Sequence, residues 1–197
     1  MRIIKFITFV SSIFFLCTCT DIAVYSDYDK QVDFSKYTTY FICSEAMEVK
    51  NLNYPMYDNT FNRNYIKEGI LAEMNKIGYQ EVDLNPDLQV NFQIIINDKL
   101  MTIKNCSGIG VYDYWPDCRI NTYDYTEGTL IIYVSDINKN QIIWQGSAMG
   151  ILDVTPEKIK KVIDKTVIQI FKDYPIVVKM KKQDDDINID TKIDEHL

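Results

Sequence analysis

The alternation of apolar and polar residues between Gly128 and Gly150 predicts a long β-hairpin. Both arms are rich in β-branched and aromatic residues, which favour strands, and the polar stretch Asn138-Lys139-Asn140 separates them as a turn. Alternate residues of the first arm should face one side of a sheet, and two apolar residues of the second arm should join them there. These residues are Leu130, Ile132, Val134, Ile142 and Trp144.

Another strand is predicted over Leu88–Ile96, where apolar residues alternate mostly with Gln and Asn, and it should continue through Ile103. After an excursion over residues 105–118, the chain is expected to return as a strand over Arg119–Tyr125. Residues 126–128 should then turn into the hairpin. Shorter extended segments are expected at residues 37–42 and 79–82, together with a short strand or an extended tether at residues 22–25.

Two amphipathic helices complete the predicted elements. The first begins near Asn59 or Thr60 and stops at Gly78, with apolar residues recurring every three or four positions at Phe61, Tyr65, Ile66, Ile70, Met74 and Ile77. The second opens at Thr155-Pro156-Glu157, because Thr suits the N-cap, Pro the first helical position and an acid the positive helix end. Pro175 should end it, and its buried face comprises Ile159, Val162, Ile163, Thr166, Val167, Ile170 and Phe171.

This order of elements predicts an α+β fold, a twisted antiparallel sheet with two helices packed on one face and the other face partly solvated. Residues 19–175 are expected to form a single domain. Residues 176–197 are rich in Lys and Asp and are expected to be a disordered tail.

Residues 1–18 have the composition of a bacterial signal peptide. Arg2 and Lys5 precede an apolar run that is too short to span a bilayer. The sequence Leu16-Cys17-Thr18-Cys19 resembles a lipobox, which favours Cys19 over Cys17 as an acylated first residue of the mature chain. The protein would then be a lipoprotein held by palmitate-like chains in the bacterial cell envelope, at the outer membrane. The alternative is an ordinary signal peptide with an incidental cysteine.

The net charge argues against nucleic acid as a partner. The whole chain carries a formal charge of −7, and loss of residues 1–18 would remove two of its 21 basic residues and none of its 28 acidic ones, leaving −9. Phosphate recognition requires clustered Lys and Arg. The expected partners are instead the membrane, through the lipid, and an envelope protein or a glycan.

The cysteines suggest a disulfide and not a metal site. Cys106 and Cys118 flank a Gly-containing loop, and closing it in an oxidising compartment would stabilise the fold by about 3 kcal/mol. The alternative is that these residues and Cys43 are free thiols. No metal or cofactor is expected, because the only histidine, His196, lies in the tail and no Cys-x-x-Cys motif occurs.

Candidate chemistry is sparse, and no catalytic residue is assigned. His196 lies outside the domain, which disfavours nucleophile–histidine pairs. Four acids, Asp113, Asp117, Asp124 and Glu127, leave a carbohydrate-active enzyme as an alternative. Three aromatic residues, Tyr112, Tyr114 and Trp115, form a candidate binding surface, or else a flap that packs on its own sheet.

Short pieces spread over residues 22–175 carry a family resemblance through their order and spacing. They are Tyr28-Asp29, Asp33 to Tyr40, Gly78-Tyr79, Pro86-Asp87-Leu88, Glu127 to Asp136, Ile143 to Ala148, Phe171 and Tyr174-Pro175. In these pieces the chain resembles the domain-of-unknown-function 4136 family of bacterial envelope lipoproteins. The resemblance implies an exported lipoprotein with an α+β fold and no assigned activity, and it supplies no catalytic residues. The segment from Cys106 to Cys118 departs from the family pattern.

We therefore expect a non-enzymatic, membrane-anchored binding or scaffolding domain. Two alternatives belong to other classes. One is the carbohydrate-active enzyme with acids near residues 113–127, and the other is a ligand-carrying module with a cavity between sheet and helices.

Overall fold

The computed structural model describes residues 22–50, 52–107 and 117–175, with backbone alone for Ser107, Asp117 and Ile151. The predicted signal peptide, Cys17, Cys19 and the charged tail therefore lie outside the described residues. In order, the elements are β1 (Ala23–Tyr28), β2 (Thr39–Ile42), α1 (Thr60–Ile77), β3 (Gln80–Glu81), β4 (Leu88–Ser107), β5 (Asp117–Asp136), β6 (Gln141–Ile151) and α2 (Pro156–Phe171). Within these ranges, no helix is both long enough and apolar enough to cross a membrane.

The six strands form one open sheet in the order β1-β6-β5-β4-β2-β3. Both helices pack on the same face, so the α+β fold with two helices on one face is confirmed. The sheet is mixed, however, because β2 pairs in parallel with both β3 and β4, whereas the other pairs are antiparallel. The reason is the connection through α1, which carries the chain back to the end of the sheet where β2 began.

The predicted turn at residues 126–128 is wrong, since β5 continues without interruption through this segment. Gly128 lies opposite Ile96 on one side and Gly150 on the other. A Cβ atom on Gly128 would lie 2.8 Å from Cδ2 of Leu152. Glycine at this position therefore allows the Leu152 side chain to pack closely against the strand, and the chain does not turn here.

The hairpin of β5 and β6 is confirmed, but one predicted core residue is wrong. Val134 pairs with Trp144, whereas Ser135 pairs with Ile142, so Ile143 is an extra residue on β6. This bulge interrupts the alternation of faces. As a result Ile143 and Trp144 are both buried, and Ile142 is exposed.

Helix α1 begins and ends as its sequence signals predict. The Asn59 side chain accepts a hydrogen bond from the backbone N–H of Asn62, and Gly78 closes the helix in the left-handed region with φ of 100°. Phe61, however, is exposed, so its assignment to the buried face is wrong. Asn62 and Arg63 are buried instead, because Arg63 is neutralised inside the fold.

Helix α2 lies across α1 and the sheet. A Cβ atom on Gly69 of α1 would lie 3.3 Å from the Val167 side chain of α2, so the helices touch closely. Ile170 reaches the sheet at Gly146. Ile159, Val167, Ile170 and Phe171 are buried, which confirms the centre of the predicted apolar face. Thr155 occupies the N-cap position, but its side chain makes no capping hydrogen bond to the helix backbone.

Candidate functional site

An apolar cavity lies between the sheet and the two helices. Its volume is about 140 Å³. The sheet contributes Ile94, Leu130 and Ala148, and the helices contribute Ile66, Ile159 and Ile163. Ile22, the first described residue, also lines it. An engineered apolar cavity of about 150 Å³ in another protein stays dry and binds benzene, so this volume suits a small apolar molecule.

Two of the polar side chains at the cavity, Tyr57 and Asn62, are engaged with the protein's own backbone. The Tyr57 hydroxyl donates a hydrogen bond to the Leu152 carbonyl at 3.0 Å. The Asn62 amide donates to the carbonyls of Met56 and Tyr57 at 3.0 and 2.8 Å. These bonds fix the segment before α1 against the cavity. They also leave the cavity with a predominantly apolar lining, which favours ligand binding by burial over proton-transfer chemistry.

A buried ion pair stands beside this segment. Arg63 donates from Nε and Nη2 to the two carboxylate oxygens of Asp58, at 2.6 and 2.8 Å. Its Nη1 donates to the Ala46 carbonyl at 2.6 Å, and its guanidinium lies 5.9 Å from the centre of the Phe92 ring. The Arg63 guanidinium therefore ties α1 to two points of the connection between β2 and α1. This pair was not predicted from the sequence, where its only signal is an arginine within an apolar helix stripe.

The predicted disulfide residues lie opposite each other near the distal end of β4 and β5. Cys106 pairs with Cys118 in the strand register, their Cα atoms are 4.0 Å apart, and the structure joins their sulfurs. Cys43 carries a buried free thiol. The predicted lipidation residue Cys19 and the aromatic candidates Tyr112, Tyr114 and Trp115 lie outside the described residues.

The acids proposed for a hydrolase are not brought together where the structure describes them. Asp113 lies outside the described residues, and only the backbone of Asp117 is described. Asp124 and Glu127 are three positions apart on β5, so their side chains leave from opposite faces of the strand. Glu127 instead lies 3.9 Å from Lys99. In the described part of the chain, no group of three potential ligands could hold a metal ion.

An aromatic cluster fills the part of the core around the end of α2. The ring centres of Trp144 and Tyr174 are 5.0 Å apart, and those of Phe34 and Tyr174 are 5.6 Å apart. Tyr79 joins the cluster at 6.3 Å from Tyr174, and burial raises its pKa to about 12. A phenol held protonated inside a packed core contributes to stability and not to acid–base chemistry at neutral pH.

Two aspartates hold the start of β2 and the residues just before it in place. Asp87 accepts hydrogen bonds from the backbone N–H groups of Thr38 and Thr39 at 2.8 and 3.0 Å. These bonds lower the pKa of Asp87, and the bond from Thr38 has the largest effect. Asp136 accepts from the Tyr37 hydroxyl at 2.7 Å. Burial alone would raise the pKa of Asp136, but the bonds from Tyr37 and Lys139 bring it below the usual value. Both carboxylates are therefore structural.

The family model described as a domain of unknown function, DUF4136, matches residues 24–176. The chain belongs to the DUF4136 family. The residues that carried the resemblance, among them Phe34, Tyr79, Asp87, Trp144 and Tyr174, meet in or beside the aromatic cluster. Others of the resemblance residues line the cavity, namely Gly128, Thr129, Leu130 and Ala148.

The solved structures to which this DUF4136 chain is similar share little sequence with it. A PDZ domain protein from Parabacteroides distasonis ATCC 8503 is 13% identical with a TM-score of 0.51, and the match covers 80% of this chain and 37% of that one. A DUF4136 family protein from Bacteroides thetaiotaomicron VPI-5482 is 17% identical, with coverages of 80% and 97% and a TM-score of 0.48. A PelC dodecamer structure from Paraburkholderia phytofirmans is 5% identical, with coverages of 76% and 94% and a TM-score of 0.42.

The likeness to the PDZ domain protein concerns the fold alone. The chain spans little more than a third of the length of the PDZ domain protein, at 37%. No curated protein matches the chain.

Proposed function

We propose that this DUF4136 protein is a lipid-anchored, non-enzymatic binding domain of the bacterial cell envelope, at the outer membrane. The apolar cavity between sheet and helices is the observation that carries the binding role. Its ligand would be a small apolar molecule or the end of an acyl chain, because the lining offers burial and few free polar groups. Of the functions considered from the sequence, the geometry thus favours the ligand-carrying module.

The anchor rests on the lipobox-like pattern Leu16-Cys17-Thr18-Cys19. Cys19 stands three residues before Ile22, which lines the cavity. Three extended residues span at most about 11 Å. An acylated Cys19 would therefore hold the open sheet and its cavity next to the membrane surface, where apolar ligands partition.

The binding role can be tested with toluene as the probe and a cavity-filling variant as the comparison. Thr166 of α2 lines the cavity and is only partly buried. Thr166→Leu places extra carbon in the cavity, and Thr166→Ser is the matched control that leaves it open. Saturating toluene should raise the melting temperature of the parent and of Thr166→Ser, and it should raise that of Thr166→Leu much less. Equal shifts in all three chains, or none in the parent, would contradict the cavity as a binding site.

The anchor is tested by growing cells with radiolabelled palmitate. The parent chain should incorporate the label, and Cys19→Ala should abolish it. The Cys17→Ala variant is the matched control, and it should remain labelled. Label that persists in Cys19→Ala would contradict acylation at that residue.

A further inference from the structure

The strands β4 and β5 extend well beyond the rest of the sheet. Pairing with β6 ends at Glu127 and Ile151, but β4 and β5 continue to pair as far as Ser107 and Asp117. We call residues 97–107 and 117–127 the projecting ribbon. Its ten outermost pairs reach about 34 Å from the body, at roughly 3.4 Å per residue.

The base of the projecting ribbon is fixed to the body. The Asp98 carboxylate accepts a hydrogen bond from the hydroxyl of Tyr54, a residue of the body, at 2.9 Å, and one from the Thr126 hydroxyl of the opposite ribbon strand at 2.8 Å. The disulfide between Cys106 and Cys118 joins the strands near the distal end. The ribbon is thus held at both ends, which matters because a two-stranded ribbon is marginally stable by itself.

One face of the ribbon presents a continuous apolar cluster. Met101 and Tyr123 are directly opposed in the register, and Ile103 lies two positions further on the same face. Their exposed fractions are 45%, 50% and 38%. Arg119 is exposed on this odd-numbered face, where the acidic Glu127 is paired with Lys99. A surface that combines apolar, tyrosyl and cationic groups suits the lipid–water interface.

The other face of the ribbon is more polar and its apolar residues are separated. Leu100 and Ile120 are exposed there, but Leu100 lies opposite Asp124 and Ile120 lies opposite Lys104. They are four pairs apart and do not form a cluster. The two faces therefore differ in chemistry, and only the odd-numbered face is arranged for a single apolar contact.

The start of β1 lies near the base of the ribbon. Ala23 pairs with Met149, which is level with Thr129 and Ile95 at that base. Because β1 runs away from the base, its first residue lies at the end of the sheet from which the ribbon projects. Cys19, within about 11 Å of Ile22 by chain length, would place a bilayer beside the ribbon.

We propose that the odd-numbered face of the projecting ribbon lies on the lipid bilayer. Met101, Ile103 and Tyr123 enter the interface, and Arg119 meets lipid phosphates. The ribbon lies along the surface and does not span the bilayer, because the outer edges of two paired strands would leave backbone groups unbonded in hydrocarbon. The proposal rests on the lipid anchor proposed above, which brings the membrane to this end of the sheet.

The test uses the acylated full-length protein in vesicles of phosphatidylethanolamine and phosphatidylglycerol, with and without brominated acyl chains. Tyr123→Trp adds a reporter to the cluster, and Thr122→Trp adds one to the neighbouring exposed position on the other face. For each variant, the fluorescence of the added Trp is the emission in excess of the parent. Brominated acyl chains should quench the added Trp of Tyr123→Trp at least about twofold more than that of Thr122→Trp, because an interfacial side chain lies within reach of the acyl region. Met101→Trp and Leu100→Trp form a second pair for the same comparison.

Flotation of the same vesicles separates the two proposals. Protein that floats but shows equal quenching for both members of each pair overturns the ribbon proposal and leaves the anchor intact. Protein that does not float overturns the anchor, and the ribbon proposal falls with it. If the emission of Tyr123→Trp is not quenched by brominated lipid but changes with protein concentration, the cluster forms a contact between copies of the protein. That result also overturns the bilayer proposal.

Discussion

Replacing Arg63 tests how the segment before α1 is held against the cavity. Arg63→Met leaves the Asp58 carboxylate without its cation at a position that is 0% exposed. It also removes the donor to the Ala46 carbonyl. The side chain of Met retains most of the apolar contact that the stem of Arg makes, so the loss of charge dominates the effect.

The expected loss is large because both consequences occur in the interior. Removing one partner of a buried ion pair lowers the free energy of unfolding by about 3–5 kcal/mol. The whole stability of a domain of this kind is roughly 5–15 kcal/mol. Arg63→Met should therefore lose at least about a fifth of the free energy of unfolding. Arg63→Lys keeps the charge but not the two-pronged contact with Asp58, and it should lose about 1–3 kcal/mol.

Urea unfolding followed by circular dichroism measures these differences. The double variant Asp58→Leu/Arg63→Met removes both charges, and it should be more stable than Arg63→Met alone because no buried charge remains uncompensated. A loss below about 1 kcal/mol for Arg63→Met would refute the interpretation, because that is the range of a solvent-exposed pair.

Three further changes test other parts of the fold. Gly146→Ala should lose about 1–3 kcal/mol in urea unfolding, because its Cβ would lie 2.5 Å from Cγ2 of the buried Ile170; an unchanged midpoint would contradict this tight contact. Tyr37→Phe should lower the free energy of unfolding at pH 7, because it removes a hydrogen bond that lowers the pKa of Asp136. A carboxylate whose pKa is lowered in the folded state stabilises the fold above its usual pKa of 3.8, and this stabilisation is lost as the pH falls through the folded-state pKa. The difference from the parent should thus shrink in urea unfolding below about pH 4, and a difference that is constant with pH would argue against the bond. Reduction of the Cys106–Cys118 bond should destabilise the protein by about 3 kcal/mol, and alkylation of both thiols in protein purified without reductant would show that the bond is absent.

Features of the fold that depend on local sequence could be predicted. Asn59 and Gly78 mark the ends of α1 because each makes a capping arrangement within a few residues of its own position. The hairpin of β5 and β6 follows from strand composition on either side of one polar turn. The α+β class follows from the order of these elements.

Features that depend on distant partners could not be predicted. Gly128 has the composition of a turn residue, but its role is set by Leu152, 24 positions away. The bulge that buries Ile143 arises from the pairing of β5 with β6, and the sequence of neither strand alone predicts it. The parallel pairing of β2 likewise depends on where α1 returns the chain.

The candidate site was only partly accessible to sequence reasoning. A cavity between sheet and helices was among the alternatives, but its walls come from Ile22, β4, β5, β6 and both helices, which no sequence spacing relates. Arg63 was missed because an arginine in an apolar stripe gives no hint of its partner, Asp58. The projecting ribbon was obscured by the turn wrongly predicted at residues 126–128.

The proposed function requires an acylated chain that carries a small apolar ligand at the membrane. Native mass spectrometry of the protein purified from its own envelope measures both properties at once. We expect a mature chain that begins at an acylated Cys19 and releases a bound apolar molecule on denaturation. A chain with an unmodified amino terminus and the same mass before and after denaturation would contradict the proposed function.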